Sequence, residues 1–253
     1  MEKLLVILHL YYHEQLEYFL DKMRNINGCE WDLIVTYSKS SHESEEKIFR
    51  FKNDARLIKV ENVGYDIWPF IKIIKTIDLS NYNYILKLHT KGSMPYVRHI
   101  NKVNLYGWRW RDMLVNSILG SRFRFSRCLS NIRKDKVGMV CCYEMLKKTD
   151  GILPEDTTLL VQEGNRVGID ISSDLFCAGT IFLIKSKVLA KIQNADLNIE
   201  SWGTAHASLS TGSTAHVYER LISMAAHDAG YKIKGIVNSL KTGLISLIYK
   251  LTH

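Results

Sequence analysis

The stretch ENVGYDIWPFIKIIKTIDLSNYNYILKLHTKGS, residues 61–93, contains the transition that decides the fold. A turn-forming ENVGYD segment leads into an apolar run with proline near its start, which is typical of the first turn of a helix. Tyr84–Leu88 then has the composition of a buried strand, and it ends directly in His89, Thr90 and Lys91. Polar side chains at the end of a buried strand predict a binding site at that position.

The first third of the chain repeats this alternation of strand and helix. The pattern predicts strands at Leu4–Leu10, Trp31–Tyr37 and Ala55–Val60, each followed by a helix-like segment, before the strand at Tyr84–Leu88. Such alternation predicts an α/β fold in which helices cover both faces of a parallel sheet. Ligands of these sheets bind beyond the carboxyl ends of the strands, so the loops that follow the strands are the candidate site.

The second half of the chain is predicted to be less regular. We expect helices, strands and one loop-rich segment in this order: helix Trp108–Leu119, helix Phe123–Ile132, strand Val137–Cys142, loops over 149–170, strand Phe176–Ile184, helix Val217–Ala229 and strand Tyr231–Val237. Together these elements predict one domain over residues 1–237.

The remaining residues, 238–253, form a separate amphipathic tail in this prediction. Its apolar residues fall on one helical face: Leu240, Leu244, Ile245, Ile248 and Leu251. The face either packs on the domain or lies on a membrane surface, helped by Lys241 and Lys250.

Charge and cysteine content limit the classes of function. A formal net charge of +8 indicates either a solvated basic surface or one that meets an anion, such as an acidic membrane or a diphosphate. Five cysteines without a C-x-x-C pair indicate reduced thiols and argue against a disulfide framework or a zinc site. Signatures of RNA-binding and helix-turn-helix modules are missing, so nucleic acid is not an expected partner.

The localisation expected from these features is the cytoplasm. The N-terminal apolar run is short, is interrupted by His9 and lacks a cleavage site, so it predicts a core strand rather than a signal peptide. No run is long enough to span a bilayer. Peripheral contact with the inner face of the cytoplasmic membrane is left open by the basic charge and the tail.

Two short segments carry candidate chemistry beside the sheet. Gly64 allows a positive φ or a close backbone approach, and Asp66 either binds a sugar hydroxyl or caps the following helix. His89, Thr90 and Lys91 form a candidate phosphate cradle; the less favoured alternative is that Lys91 is a solvated loop lysine. Neither histidine nor lysine suits Mg²⁺, which prefers oxygen ligands.

A third candidate lies near the C-terminus. Glu219 is on a predicted helix in the stretch HVYERLISMAAHDAG, where it either pairs with Arg220 or acts as a catalytic carboxylate.

Taken together, these motifs resemble glycosyltransferases of the GT-A fold, and more closely the rhamnan synthesis protein F family of bacterial polysaccharide glycosyltransferases. The resemblance covers about residues 4–235 and rests on these motifs: H-x-Y-Y from His9 to Tyr12, E-N-x-G-x-D-x-x-P-F from Glu61 to Phe70, K-x-H-T-K from Lys87 to Lys91, Gly107-Trp108-Arg109, F-x-A-G-T-x-F from Phe176 to Phe182, and H-x-x-E-R from His216 to Arg220. It implies an α/β fold with a mixed, mostly parallel central sheet flanked by helices.

The resemblance also implies a reaction and roles for residues. The expected enzyme transfers a sugar, rhamnose or a hexose, from a nucleotide-diphosphate donor to a lipid-linked saccharide. Glu219 aligns with the catalytic base of an inverting mechanism, and Lys91 aligns with the aspartate that binds metal in related enzymes. We therefore expect Lys91 and His89 to stabilise the leaving diphosphate in place of Mg²⁺ or Mn²⁺, with no metal cofactor and no metal site.

The remaining site predictions follow the same motifs. The residues expected to bind the donor are His9, Tyr11, Asn62, Gly64, Asp66, His89, Thr90 and Lys91. The residues expected to meet the acceptor are Trp108, Arg109 and His216. The alternative to an enzyme is a non-catalytic subunit that binds carbohydrate or nucleotide within a polysaccharide assembly complex.

Overall fold

The protein was analysed as a computed structural model that describes residues 2–100, 103–149, 154–197, 199–202 and 213–238. Within these ranges seven strands form one central sheet in the order β11-β7-β10-β4-β1-β2-β3. The strands are β1 (Lys3–His9), β2 (Glu30–Tyr37), β3 (Arg56–Lys59), β4 (Tyr84–His89), β7 (Val137–Cys142), β10 (Phe182–Lys185) and β11 (Lys232–Ile236). The predicted tail over 238–253 lies outside the described residues, apart from Asn238.

Neighbouring strands of this sheet are parallel, except at β10. Strand β10 runs antiparallel to both β4 and β7, while the pairs β1–β2, β1–β4, β2–β3 and β7–β11 are parallel. The predicted α/β class with a mixed, mostly parallel sheet is therefore confirmed. Because β10 is reversed, its first residue lies at the edge where β1 and β4 end.

Eight helices in the described ranges cover the two faces of the sheet. On one face lie α3 (Ile67–Thr76), α6 (Pro154–Val167), α7 (Ala190–Asn194) and α8 (Thr214–Asp228); on the other lie α1 (Leu16–Met23), α2 (His42–Phe51), α4 (Arg109–Leu119) and α5 (Arg122–Ile132). Leu5 and Ile7 of β1 point to the first group, whereas Leu4, Val6 and Leu8 point to the second. This is the period-2 alternation of a strand that is buried on both faces.

The regular N-terminal elements agree with the sequence predictions to within a few residues. Caps explain two of the helix starts, because the hydroxyl groups of Ser41 and Ser121 accept hydrogen bonds from backbone N–H groups in the first turns of α2 and α5.

Two predictions for the second half are wrong, and the two small two-stranded sheets were not predicted. The stretch Phe176–Ile184 is not one strand but two, β9 (Leu175–Cys177) and β10, separated by a turn. The segment predicted as loops contains α6, a helix of 14 residues. A hairpin of β5 (Met94–Ile100) and β6 (Val103–Gly107) follows β4, and β9 pairs with the short β8 (Leu146–Lys148).

Candidate active site

A cavity of about 340 Å³ lies at the edge of the sheet where β1 and β4 end and β10 begins. Its lining comes from the start of α3, the residues after β4, the first turns of α4 and α8, and the turn before β10. The residues are Tyr65, Asp66, Ile67, Lys91, Trp110, Gly179, Thr180, Ala215, His216 and Glu219. Four predicted site residues therefore meet in one place: Asp66, Lys91, His216 and Glu219.

The bottom of the cavity contains a buried ion pair. The Lys87 ammonium contacts the Asp66 carboxylate, and it also donates to the Thr180 hydroxyl at 3.0 Å and to the Thr180 carbonyl at 3.2 Å. The Thr180 hydroxyl lies 2.6 Å from the same Asp66 oxygen. Although burial alone would raise the pKa of Asp66, His89, Lys87 and Lys91 together hold it well below its usual range.

Asp66 thus does not cap α3 through its side chain. It occupies the N-cap position, but in the described part of the chain its carboxylate makes no capping hydrogen bond. The capping alternative is wrong, and the carboxylate points instead toward the buried lysine.

Two buried histidines stand beside this ion pair. Burial lowers the pKa of His89 to about 3 and that of His9 to about 4, so both rings are neutral near pH 7. The His89 nitrogens face the carbonyl oxygens of Thr90 at 3.0 Å and Gly179 at 2.8 Å, and a neutral ring donates to only one of them at a time. Nδ1 of His9 lies 3.0 Å from the Thr36 hydroxyl.

The turn before β10 supplies main-chain groups to the site. Gly179 and Thr180 both have positive φ angles, 83° and 49° respectively. A Cβ atom at Gly179 would lie 2.8 Å from the Leu114 side chain, so only glycine fits there without displacing its neighbour. The Gly179 N–H donates to Oε1 of Glu219 at 2.7 Å, which fixes the orientation of this carboxylate.

Lys91 enters the cavity from the loop after β4. Gln15 is hydrogen-bonded to its backbone on both sides, donating to the Lys91 carbonyl at 2.8 Å and accepting from the Lys91 N–H at 3.3 Å. The ammonium lies 4.0 Å from the centre of the Trp110 ring. Burial lowers the pKa of Lys91, while Asp66 and Glu219 act in the direction that keeps it charged.

Glu219 and His216 face the cavity from the first turns of α8. Arg220 is the residue that the sequence offered as an ion-pair partner of Glu219. It donates instead to the His216 carbonyl at 2.7 Å, and its guanidinium stacks over Phe176 at 5.2 Å. His216 pairs with the Ser213 hydroxyl at 2.6 Å, and its ring lies 5.9 Å from the Tyr65 ring. The predicted ion pair between neighbours is thus replaced by a contact between Glu219 and the turn before β10.

Several other predicted donor residues have structural contacts near the cavity. The Thr90 hydroxyl accepts from the backbone N–H groups of Tyr11 and Tyr12, both at 3.0 Å. Gly64 has the positive φ that the sequence indicated, 62°, and a Cβ atom there would lie 2.7 Å from that of Trp68. Asn62 lies two residues before it, in the same loop between β3 and α3. Their contacts with a donor stay predictions.

The predicted acceptor residues Trp108 and Arg109 are not among the residues that line the cavity. Trp108 is 39% exposed and stacks under the Arg111 guanidinium at 4.7 Å, and Arg109 stacks over Tyr106 at 5.5 Å. Both residues precede Trp110, whose ring does line the cavity.

Sequence reasoning did not assign a role to Lys87, Trp110, Gly179 or Thr180. Lys87 offered a usable signal, because a lysine inside an apolar strand needs a buried partner. Trp110 offered a weaker signal. Consecutive residues of a helix that begins at Arg109 point to different faces, so Trp110 does not share the surroundings of its neighbour. The positive φ of Thr180 could not be predicted from the sequence, because threonine rarely adopts a positive φ.

Two kinds of feature are absent from the described ranges: a cluster of metal-binding side chains and a helix that could span a membrane. These ranges contain no group of three or more His, Cys, Asp or Glu side chains arranged to hold a metal ion. None of their helices combines the length and the apolar character needed to cross a bilayer.

The family of the chain follows from a comparison with family models. The model described as rhamnan synthesis protein F matches residues 1–231. The chain belongs to this family. The resemblance inferred from the motifs is therefore confirmed. The name of the family connects its members with polysaccharide synthesis.

Curated relatives extend the comparison. The "Uncharacterized protein WxcX" from two strains of Xanthomonas campestris pv. campestris is 24% identical over 238 residues in one strain and 25% identical over 249 residues in the other. Each alignment covers 93% of this chain and 33% of the relative. The chain thus spans about a third of the length of these relatives.

Two of the solved structures to which this chain is similar come from S. aureus and Pyrobaculum calidifontis. S. aureus TarS residues 1–349 give a TM-score of 0.49 at 10% identity, covering 94% of this chain and 58% of that one. The mannosyltransferase PcManGT from Pyrobaculum calidifontis, solved with GDP-Man and Mn²⁺, gives a TM-score of 0.44 at 14% identity, covering 92% and 55% respectively. Neither similarity identifies a substrate for this chain.

Proposed function

We propose that this rhamnan synthesis protein F family member is a glycosyltransferase. It moves a sugar from a nucleotide-diphosphate donor to a lipid-linked saccharide during synthesis of a bacterial surface polysaccharide. The observation that carries the proposal is that the Glu219 carboxylate and the Lys91 ammonium line the same cavity at the ligand-binding edge of the sheet. A carboxylate and a fixed cation are the two groups that an inverting transfer needs.

Lys91 acts on the leaving group in this mechanism. When the bond between the anomeric carbon and the β-phosphate oxygen breaks, its electron pair stays on the diphosphate, where negative charge accumulates. An ammonium held at a half-buried site stabilises that charge more than water would, because it is already oriented. The backbone contacts with Gln15 fix where Lys91 leaves the loop.

Glu219 acts on the acceptor. Its carboxylate takes the proton of the acceptor hydroxyl while the hydroxyl oxygen forms the new bond to the anomeric carbon, on the face opposite the leaving diphosphate. The hydrogen bond from the Gly179 N–H to Oε1 holds the carboxylate in one orientation for this transfer. His216, which also lines the cavity, is suited to contact the acceptor.

The buried network below the cavity supports transfer without a metal cofactor. The Asp66 carboxylate is paired with the Lys87 ammonium and accepts a hydrogen bond from the Thr180 hydroxyl. This acidic group of the site therefore already has a cation as its partner. Donor contacts of His9, Tyr11, Asn62 and Gly64, and acceptor contacts of Trp108 and Arg109, belong to the proposal. So does action at the inner face of the cytoplasmic membrane, where lipid-linked acceptors would be met.

The test begins with a screen of UDP, GDP, dTDP and their sugars by thermal shift, with and without Mg²⁺. Glu219→Gln should then lower sugar transfer, or donor hydrolysis, by about a thousandfold, since general base catalysis is worth about 10²–10⁴. Nucleotide affinity should stay within about twofold, because the glutamine still accepts from the Gly179 N–H. Transfer should persist in EDTA.

Three results would contradict parts of this proposal. A Glu219→Gln variant that keeps most of its turnover would remove the base assignment. Transfer that stops in EDTA and returns with Mn²⁺ would remove the metal-independent mechanism. Tight binding of a donor that is never hydrolysed or transferred would favour a non-catalytic carbohydrate- or nucleotide-binding subunit.

A further inference from the structure

We infer that Trp110 is a positioning residue that holds the Lys91 ammonium at the cavity through the face of its indole ring. The inference rests on the proposed function, in which Lys91 neutralises the leaving diphosphate, and it assigns a residue that none of the sequence motifs singled out.

The geometry of the pair is that of a cation–π contact. Nζ of Lys91 lies 4.0 Å from the ring centre, well inside the limit of about 6 Å for such contacts. Gln15 fixes the backbone of Lys91, and Trp110 fixes the other end of the side chain. A lysine side chain has several rotatable bonds, so a contact at its tip determines where its charge is located.

The ring itself is held by the fold. Trp110 is in the first turn of α4, a helix anchored by buried residues that include Leu114, Val115 and Ile118. Across the cavity, a Cβ atom at Gly179 would lie 3.1 Å from Nε1 and 3.4 Å from Cζ2 of Trp110, so the missing side chain makes room for the indole. The platform under Lys91 is therefore set by α4 and by the turn before β10.

The indole N–H does not explain why tryptophan is present. Within the described ranges, Nε1 of Trp110 is buried and has no hydrogen-bond partner, which is an unfavourable arrangement. What the side chain contributes is its aromatic face, which partly replaces the water that the buried ammonium has lost. Another aromatic residue should therefore perform the same task, whereas an aliphatic one should not.

The experiment measures nucleotide binding by calorimetry. The ligands are whichever of UDP, GDP, dTDP or CDP binds best and the matching nucleoside monophosphate, which lacks the β-phosphate. The variants are Trp110→Leu, Trp110→Phe and Lys91→Met. The matched control is Trp31→Leu, which removes a tryptophan that carries Lys52 at 4.9 Å on β2, away from the cavity.

We expect Trp110→Leu and Lys91→Met each to weaken diphosphate binding by about tenfold, which lies within the range of a cation–π contact. Monophosphate binding should change by less than about twofold in both. Trp110→Phe should stay within about threefold of wild type, and Trp31→Leu should not change binding. The double variant Lys91→Met/Trp110→Leu should bind no more weakly than Lys91→Met, because Trp110 acts through Lys91.

The outcomes separate this inference from the proposed function. If Lys91→Met weakens diphosphate binding and Trp110→Leu does not, or if phenylalanine fails as badly as leucine, the role of Trp110 is overturned while the proposed function stands. If Lys91→Met has no effect, or if none of the four diphosphates binds, the proposed function fails as well. If the leucine variant does not fold, Trp110→Met takes its place. It also removes the aromatic face, and the expected result is the same.

Discussion

The cavity has two layers that differ in how their polar groups are used. We call Asp66, Lys87, His89 and Thr180 the floor, and Lys91, Trp110, His216 and Glu219 the wall. Lys87 and His89 are 1% and 2% exposed, and the floor residues bond to one another and to the backbone of the turn before β10. The wall residues are half-buried and line the cavity, as do Asp66 and Thr180 of the floor. We therefore expect the floor to contribute mainly to stability and the wall, under the proposed function, to contact ligands.

A single motif supplies both layers. In K-x-H-T-K, Lys87 and His89 belong to β4 and point to the same face of the sheet, while Lys91 lies beyond the end of the strand. Side chains two apart on a strand share a face, which explains why two of the three basic residues are buried together. Basic residues of one motif can therefore have different tasks, and variants at Lys87 and Lys91 should separate them.

The largest expected effect is at the floor. Lys87→Met should lower the free energy of unfolding by about 3–5 kcal/mol, because it leaves the Asp66 carboxylate buried without its cation. Chemical denaturation of the purified variant measures this loss. The matched control is Lys91→Met, the same substitution at the wall, which should cost less than about 1 kcal/mol. Equal losses in the two variants would show that the layers do not differ.

The second effect is a loss of stability in mild acid, also from the floor and its surroundings. The pKa values of His9 and His89 are lowered to about 4 and about 3, whereas the unfolded chain has histidine pKa values near about 6.5. Between these values the unfolded chain binds protons that the folded protein does not. Stability is therefore complete above about pH 7 and falls as the pH is lowered.

At pH 5.5 the two histidines together should cost about 2.5 kcal/mol relative to pH 7.5. Urea denaturation at the two pH values checks this number. His9→Asn should remove about half of the pH dependence, because it removes one of the two buried rings. A slope that is insensitive to His9 would contradict the assignment. Asp66 contributes only below about pH 4, where its carboxylate would be protonated in the unfolded chain.

The smallest effect concerns the boundary between the layers. Thr90→Val should lower the free energy of unfolding by about 2 kcal/mol, since it removes the acceptor of the Tyr11 and Tyr12 N–H groups. Thr90→Ser keeps the oxygen and should cost less than about 1 kcal/mol. Hydrogen exchange at the two N–H groups should accelerate only in the valine variant. If serine and valine behave alike, the hydroxyl does not hold the loop.

The sequence predicted the fold best where local signals agree with tertiary contacts. Strands β1, β2 and β4 are rich in buried Leu, Ile and Val, and the helices between them have clear apolar faces. The prediction for Phe176–Ile184 is wrong because Gly179 and Thr180, within an otherwise apolar stretch, form a turn that the apolar composition conceals. Its two positive φ angles include one at a threonine, a residue type that rarely adopts them.

The site was predicted in part for a similar reason. Asp66, Lys91, His216 and Glu219 follow strands or begin helices, so their positions could be inferred from the order of elements. Lys87 and Trp110 could not, because their roles depend on which residue of another element lies opposite. The partner of Lys87 is 21 positions away and that of Trp110 is 19 positions away, as the numbering of Asp66 and Lys91 shows.

The reversal of β10 has a consequence for how this site tolerates change. Because the strand enters the sheet at the cavity, the turn before it offers peptide groups in addition to the Thr180 hydroxyl: the Gly179 N–H donates to Glu219, and the Thr180 carbonyl accepts from Lys87. The backbone N–H and C=O groups are retained in most substitutions, but they change position when the chain is lengthened. An inserted residue in this turn would displace the contacts of α8 and β4 at once, so the length of the turn, together with the glycine at position 179, couples the two halves of the chain.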